Sequence, residues 1–147
     1  ASDVYKRQEQ TRQVADIRSR VLKEECGLKI EAEPEAFCMY ALAYEGDTPV
    51  ATGEITFDGE SYRIQEVAVL PEFRRKKYGD FIVRLLIDKA MLSGAQTIEA
   101  DVLQGTEVLF QEVGFAEAGA WYEKEGRQWQ PMQLQAGNIH KCCNCGQ

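Results

Sequence analysis

The segment VAVLPEFRRKKYGDFIVRLL, Val67–Leu86, constrains the fold more than any other part of the chain. An apolar, β-branched run stops at Pro71, which cannot donate to a sheet ladder, and a helical pattern begins shortly afterwards. Four consecutive cations, Arg74, Arg75, Lys76 and Lys77, fill the interval, and Gly79 follows. A strand that hands over to a helix through a short loop makes a layered α/β joint, because the helix must fold back to bury its apolar side on the sheet. Ile82, Leu85, Leu86 and Ala90 supply that side. The spacing predicts a helix over Tyr78–Ser93, ended by Gly94.

The remainder repeats this alternation. Val14, Ile17, Val21 and Leu22 recur at helical spacing between Glu9 and Cys26, with Gly27 as the stop. Strands are predicted at Phe37–Tyr44, Val50–Phe57 and Tyr62–Leu70, joined by the turns EGDT and DGES. Simple alternation in the third puts Ile64, Glu66 and Ala68 on one face and Gln65, Val67 and Val69 on the other. Thr97–Val102 reads as a strand, Thr106–Val113 as a short helix, and Phe115–Tyr122 and Gln128–Leu134 as strands. The order predicts one α/β (α+β) domain, a mixed, mainly antiparallel sheet with helices on both faces, spanning residues 9–135. At 147 residues and 44% hydrophobic content, one core suffices.

The net charge of -7 argues against a nucleic-acid partner, which needs a broad basic face. No run approaches the ~20 apolar residues of a membrane span, so no membrane partner and a cytoplasmic location are expected. Any anionic ligand must be met locally, and the basic loop is where that can happen. The first N–H groups of a helix lack internal partners, so a strand-to-helix turn gathers free donors. A phosphate suits them, each charge-assisted hydrogen bond contributing about 1.5–3 kcal/mol. A solvated charge run fits the same residues; placement after an apolar strand favours the ligand.

The segment EVAVLPEFRRKKYGDFIVRLL resembles the acetyl-CoA motif of the GNAT superfamily of N-acetyltransferases, a strand followed by Arg/Gln-x-x-Gly-x-Gly/Ala and a helix. Arg74 takes the first motif position and Gly79 the last. TEVLFQEVGF, Thr106–Phe115, resembles the family's closing helix-turn, and IRSRVLKEECG, Ile17–Gly27, the first helix of one branch. The resemblance implies a sheet splayed between the strands at 62–70 and 97–102, with the pantetheine arm of acetyl-CoA added to the free edge as a ligand strand. Backbone groups of Val67, Ala68 and Val69 would hold the arm. Arg74, Arg75, Lys76, Lys77, Tyr78 and Gly79 would wrap the diphosphate, with Asp80, Leu103 and Phe110 completing the cofactor site. Asp80 also suits the positive end of a helix dipole. Two departures stand out: Lys77 replaces the motif's first glycine, and Phe110 replaces a tyrosine that in many members protonates the leaving thiolate.

The activity implied is transfer of an acetyl group from acetyl-CoA to a primary amine of a small molecule or peptide. Such chemistry needs a neutral amine beside a thioester, and a base to make it neutral. Glu66 is the candidate base, with Glu54 a weaker one, and Tyr122 is a candidate acid in place of Phe110. Glu66 equally fits a polar residue paired with a cation. The two departures raise an alternative, a catalytically silent acyl-CoA-binding or sensing domain.

Three segments carry further expectations. LKIEAEPEA, Leu28–Ala36, presents Glu31, Glu33 and Glu35, which suit a cationic amine such as a polyamine, an aminoglycoside or a lysine side chain, and equally a solvated loop. The tail over 136–147 ends in HKCCNCGQ, where His140, Cys142, Cys143 and Cys145 fit zinc, reduced thiols or a redox switch; a metal or thiol module is thus a third reading. DVYKRQ, Asp3–Gln8, resembles the translated end of a sequencing-library adapter, so residues 1–8 are expected to be non-native. A homodimer is left open.

Overall fold

The computed structural model describes residues 2–28 and 37–136. Helix α1 (Ser2–Arg18) continues as a π-helical turn over Ser19–Glu25, and strands β1 (Phe37–Glu45), β2 (Thr48–Phe57) and β3 (Tyr62–Val69) follow. A 3₁₀ turn at Pro71–Phe73 leads through the basic loop to helix α2 (Tyr78–Leu92). Strand β4 (Thr97–Leu103), helix α3 (Glu107–Val113) and strands β5 (Ala116–Glu117), β6 (Tyr122–Lys124) and β7 (Arg127–Gln135) complete the domain. The strands form one sheet in the order β1-β2-β3-β4-β7-β5, with β6 also paired to β7. Every pairing is antiparallel except β3 with β4.

Most of this matches the predicted order. The first helix begins earlier than expected, at Ser2, so the adapter-like segment is helical in the same element. The expected strand over Phe115–Tyr122 is instead two short strands. Opposite the break, Pro131 accepts a bond from Ala118 N at 2.9 Å but has no N–H to return one.

Two apolar layers hold the sheet. On one face Ile82, Val83, Leu86, Ile87 and Ala90 of α2 pack with Ala41, Ala51, Ile55 and Ile64. Gly53 permits that approach: a Cβ there would stand 2.9 Å from Ile82 Cγ2, 3.0 Å from Leu86 Cδ1 and 3.2 Å from Val67 Cγ2. On the other face Ile17 and Val21 pack against Ala68 and Leu70, joined by Leu22 and Leu42. No described helix is long and apolar enough to cross a membrane.

The feature that positions the site is a bulge in β3. The β2–β3 register shifts between Thr52 and Glu54, so that Gly53 lies opposite both Glu66 and Val67. Glu66 takes a left-handed φ of 54°, a conformation uncommon for a side-chain-bearing residue. A bulge bends its strand and increases twist. Beyond it β3 and β4 part company: they pair only at Tyr62↔Ile98, Arg63↔Glu99 and Ile64↔Ala100, although β3 runs on to Val69 and β4 to Leu103. The expected splay is present.

The bulge also corrects the alternation expected from sequence. Ile64, Val67 and Val69 all pack toward α2, whereas Gln65, Glu66 and Ala68 face the α1 side, where Gln65 meets Glu54, Glu66 meets Arg18 and Ala68 meets Ile17.

Candidate active site

The open edge of β3 offers unused backbone groups. Leu70 N donates to Val50 O at 2.9 Å, and Ala51 stands opposite Val69. Because backbone N–H groups alternate between the two edges of a strand, those of Val69 and Val67 point to the side from which β4 has departed. The Val69 carbonyl on that side accepts from Arg74 Nε at 3.1 Å.

The basic loop continues this array of donors. Phe81 N donates to Lys77 O at 3.0 Å, and among the described residues the N–H groups of Arg75, Lys76, Lys77, Tyr78, Gly79 and Asp80 have no backbone acceptor. Lys77, which caps α2, has a φ of 67°. A glycine adopts that conformation without strain, so the backbone at Lys77 is one that suits the glycine expected at this motif position. Gly79 serves packing rather than bare exposure: a Cβ there would lie 3.1 Å from Leu109 Cδ2 and 3.6 Å from Val69 Cγ2.

Side chains of the loop are shared out. Arg74 forms a two-pronged pair with Glu25, at 2.6 and 2.8 Å. Lys76 Nζ lies 3.4 Å from both oxygens of Glu45, and Glu45 also accepts from the Tyr78 hydroxyl at 2.7 Å. These bonds, led by Arg74 for Glu25 and by Tyr78 for Glu45, hold both carboxyls below the usual range. Asp80 accepts from Arg84 Nε at 3.0 Å. A cleft of about 480 Å³ opens beside the loop, lined by Tyr44, Lys76, Lys77, Tyr78 and Phe81 among others. Another hollow, of about 410 Å³, lies at the paired end of β3 and β4 near Tyr62 and Thr97, away from the free donors.

Glu66 sits at the start of the gap on the α1 face, in an ion pair with Arg18, which is only 8% exposed. The contact leaves Arg18 Nε and Glu66 Oε2 without an aligned hydrogen-bond partner. Next to it is Glu54, 2% exposed, whose oxygens accept from Gln65 Nε2 at 2.7 Å and Cys38 Sγ at 3.1 Å. Burial first, then a hydrogen bond with Glu54, push the Glu66 carboxyl up to about 7, against the pull of Arg18. That value suits a group that must gain and lose a proton near neutrality.

Across the gap, Asp101 on β4 is bound by Arg63 Nη1 at 2.9 Å, and Tyr122 reaches the same carboxylate. Burial and then Asp101 raise the Tyr122 pKa, so its hydroxyl keeps its proton. Both residues face the α1 side, as Glu66 does, because Ile98, Ala100 and Val102 turn the other way into the core. Leu103 ends β4 opposite Trp129. Phe110 is 6% exposed and meets Phe115 edge-on at 5.3 Å between ring centres, a core contact.

Sequence reasoning did not single out Arg18, Glu25 or Glu45. Arg18 had a signal: it stands at i+4 from Val14 and three before Val21, within the apolar stripe of its helix. Glu25 and Glu45 are remote in sequence from the loop that they hold, and nothing local marks them. Glu31, Glu33 and Glu35, and the thiols and His140 of the tail, lie outside the described residues. Among the described residues no group of His, Cys, Asp and Glu is arranged to hold a metal ion.

Residues 3–115 match the profile of the Acetyltransferase (GNAT) family. No curated protein sequence matches the chain. Among solved structures, the fold is similar to that of Escherichia coli ElaA, with a TM-score of 0.75 at 17% identity over 86% of this chain and 90% of that one. An acyl-CoA N-acyltransferase from Pseudomonas aeruginosa is similar at a TM-score of 0.72 and 11% identity, covering 83% of this chain and 88% of that one. FeeM, an N-acyl amino acid synthase from uncultured soil microbes, gives 0.72 at 10% identity, covering 89% and 95%. At such identities these likenesses speak for the fold alone; it is the profile match, running from α1 through the split strands and the basic loop to Phe115, by which the chain belongs to the acetyltransferase (GNAT) family.

Proposed function

We propose that this chain is an N-acyltransferase that moves an acetyl group from acetyl-CoA to a primary amine of a small molecule or peptide. The observation that carries the reading is the parting of β3 and β4 after Ile64, which frees backbone donors directly beside a loop rich in free N–H groups and cations. Those groups fit the two ends of the cofactor. Val67 and Val69 N–H would pair with the amide-bearing arm, and the loop from Arg74 to Gly79 would hold the diphosphate.

Bound acetyl-CoA supplies an activated carbonyl at the gap. Glu66 takes the proton from the incoming ammonium, directly or through water, so that the amine is neutral when it attacks. Tyr122, still protonated, is the donor assigned to the sulfur as the C–S bond breaks, a role for which Phe110 has no proton to give, and the proton that the attacking nitrogen sheds in becoming an amide restores the tyrosine. A backbone N–H on the open edge of β3 faces the carbonyl oxygen as charge develops there.

The test is release of free CoA from acetyl-CoA with a panel of primary amines, alongside calorimetric titration of CoA. The reading expects CoA binding and turnover with members of the panel. Binding without turnover on any amine favours the silent acyl-CoA-binding domain, to which the buried Phe110 lends support. No binding contradicts both.

A further inference from the structure

The four cations of the loop are not equivalent. The Arg74 guanidinium is engaged through all three nitrogens, by the Glu25 carboxylate and the Val69 carbonyl. Lys76 is neutralised by Glu45 and lies 5.6 Å over the Phe73 ring. These two side chains tie the loop to the π-helical turn on one side and to the end of β1 on the other. Arg75 and Lys77 alternate with them, are exposed, and have no partner among the described residues.

Those same two residues take left-handed backbone, φ 65° and 67°. For a residue with a Cβ that conformation costs roughly 1–2 kcal/mol, and a glycine would avoid it. Among the described residues nothing uses the charge at either position, while the backbone disfavours a side chain at both. Two uncompensated cations thus flank Lys76 in a loop whose N–H groups, from Arg75 onward, have no backbone acceptor among the described residues.

Resting on the acyl-CoA reading above, we infer that Arg75 and Lys77 are the side chains that meet the cofactor's phosphates, and that Arg74 and Lys76 are braces that keep the loop in shape. The motif's leading arginine is then a positioning residue, and the lysine at the glycine position is the anion contact. An attraction to solvent-exposed cations weakens with added salt, whereas a cation already paired with a carboxylate adds little to that dependence.

The experiment is calorimetric titration of CoA at low and high salt, with thermal melts, on the wild type and two double variants. Arg75→Gly with Lys77→Gly is expected to melt at or above the wild-type Tm yet bind CoA about tenfold more weakly, with a flattened salt dependence. Arg74→Gln with Lys76→Gln is expected to melt lower and to keep the wild-type salt dependence. The inference is overturned if the first variant binds with wild-type affinity and salt dependence while the second loses them. A wild type that binds no CoA overturns the acyl-CoA reading itself, and this assignment with it.

Discussion

Replacing Glu66 by glutamine lowers kcat by about 10²- to 10⁴-fold, the usual worth of a positioned proton acceptor, while CoA affinity changes by less than about twofold. Glutamine keeps the size of the side chain and an oxygen for Arg18 to bind, so the bulge and the gap survive. What it loses is the ability to take a proton. Burial and the Glu54 contact hold the wild-type carboxyl at about 7, and a base acts in its deprotonated form. Wild-type kcat/KM therefore rises with pH up to about 7 and levels above it, and the Glu66→Gln profile lacks that rise. Stopped-time assays across pH 5–9, a range of about two units to either side, read both effects together. A variant with wild-type kcat and an unchanged profile leaves Glu66 only its ion pair with Arg18.

The second large effect is expected at Gly79. An arginine there starts 3.1 Å from Leu109 and 3.6 Å from Val69, with the rest of its side chain still to be placed at the mouth of the gap. It blocks the place where the open edge of β3 meets the first turn of α2, and CoA affinity falls by more than about 100-fold, a loss of roughly 2.7 kcal/mol. The nearest atom is the tip of the Leu109 side chain, in the first turn of α3 and only partly buried, so the domain is expected to keep its circular dichroism spectrum and a cooperative melt. Gly79→Ala, which asks Leu109 to shift by only a few tenths of an ångström, weakens binding far less. Wild-type affinity in the folded Gly79→Arg protein contradicts the placement of the cofactor in this loop.

Much of this was legible because the relevant signals are local. The periodicities of α2 and of β1 to β4, Pro71 at the strand end and the basic run before Tyr78 are each written in neighbouring residues. The bulge was not read, yet it left a trace. Gln65 and Glu66 are consecutive polar residues between Ile64 and Val67, and a flat strand cannot bury both flanking apolar side chains on the same face across that spacing. An extra residue in the ladder does so, with Gly53 opposite as the space it needs. The division of labour in the loop was beyond reach. Which of four adjacent cations is paired depends on Glu25 and Glu45, brought to the loop by the packing of the π-helical turn and the end of β1. Likewise, Phe110 marks a departure from the family pattern, but its burial against Phe115 and the position of Tyr122 beside Asp101 belong to the tertiary fold.

The central claim is that the parting of β3 from β4 receives the arm of an acyl-CoA. Determining the structure with CoA bound tests it most directly. The account predicts the arm lying between the two strands and bonded to the N–H groups of Val67 and Val69, with the diphosphate against the loop at Arg75–Gly79. A CoA seated elsewhere, or β3 and β4 paired through to Val69 with the ligand excluded from between them, contradicts it.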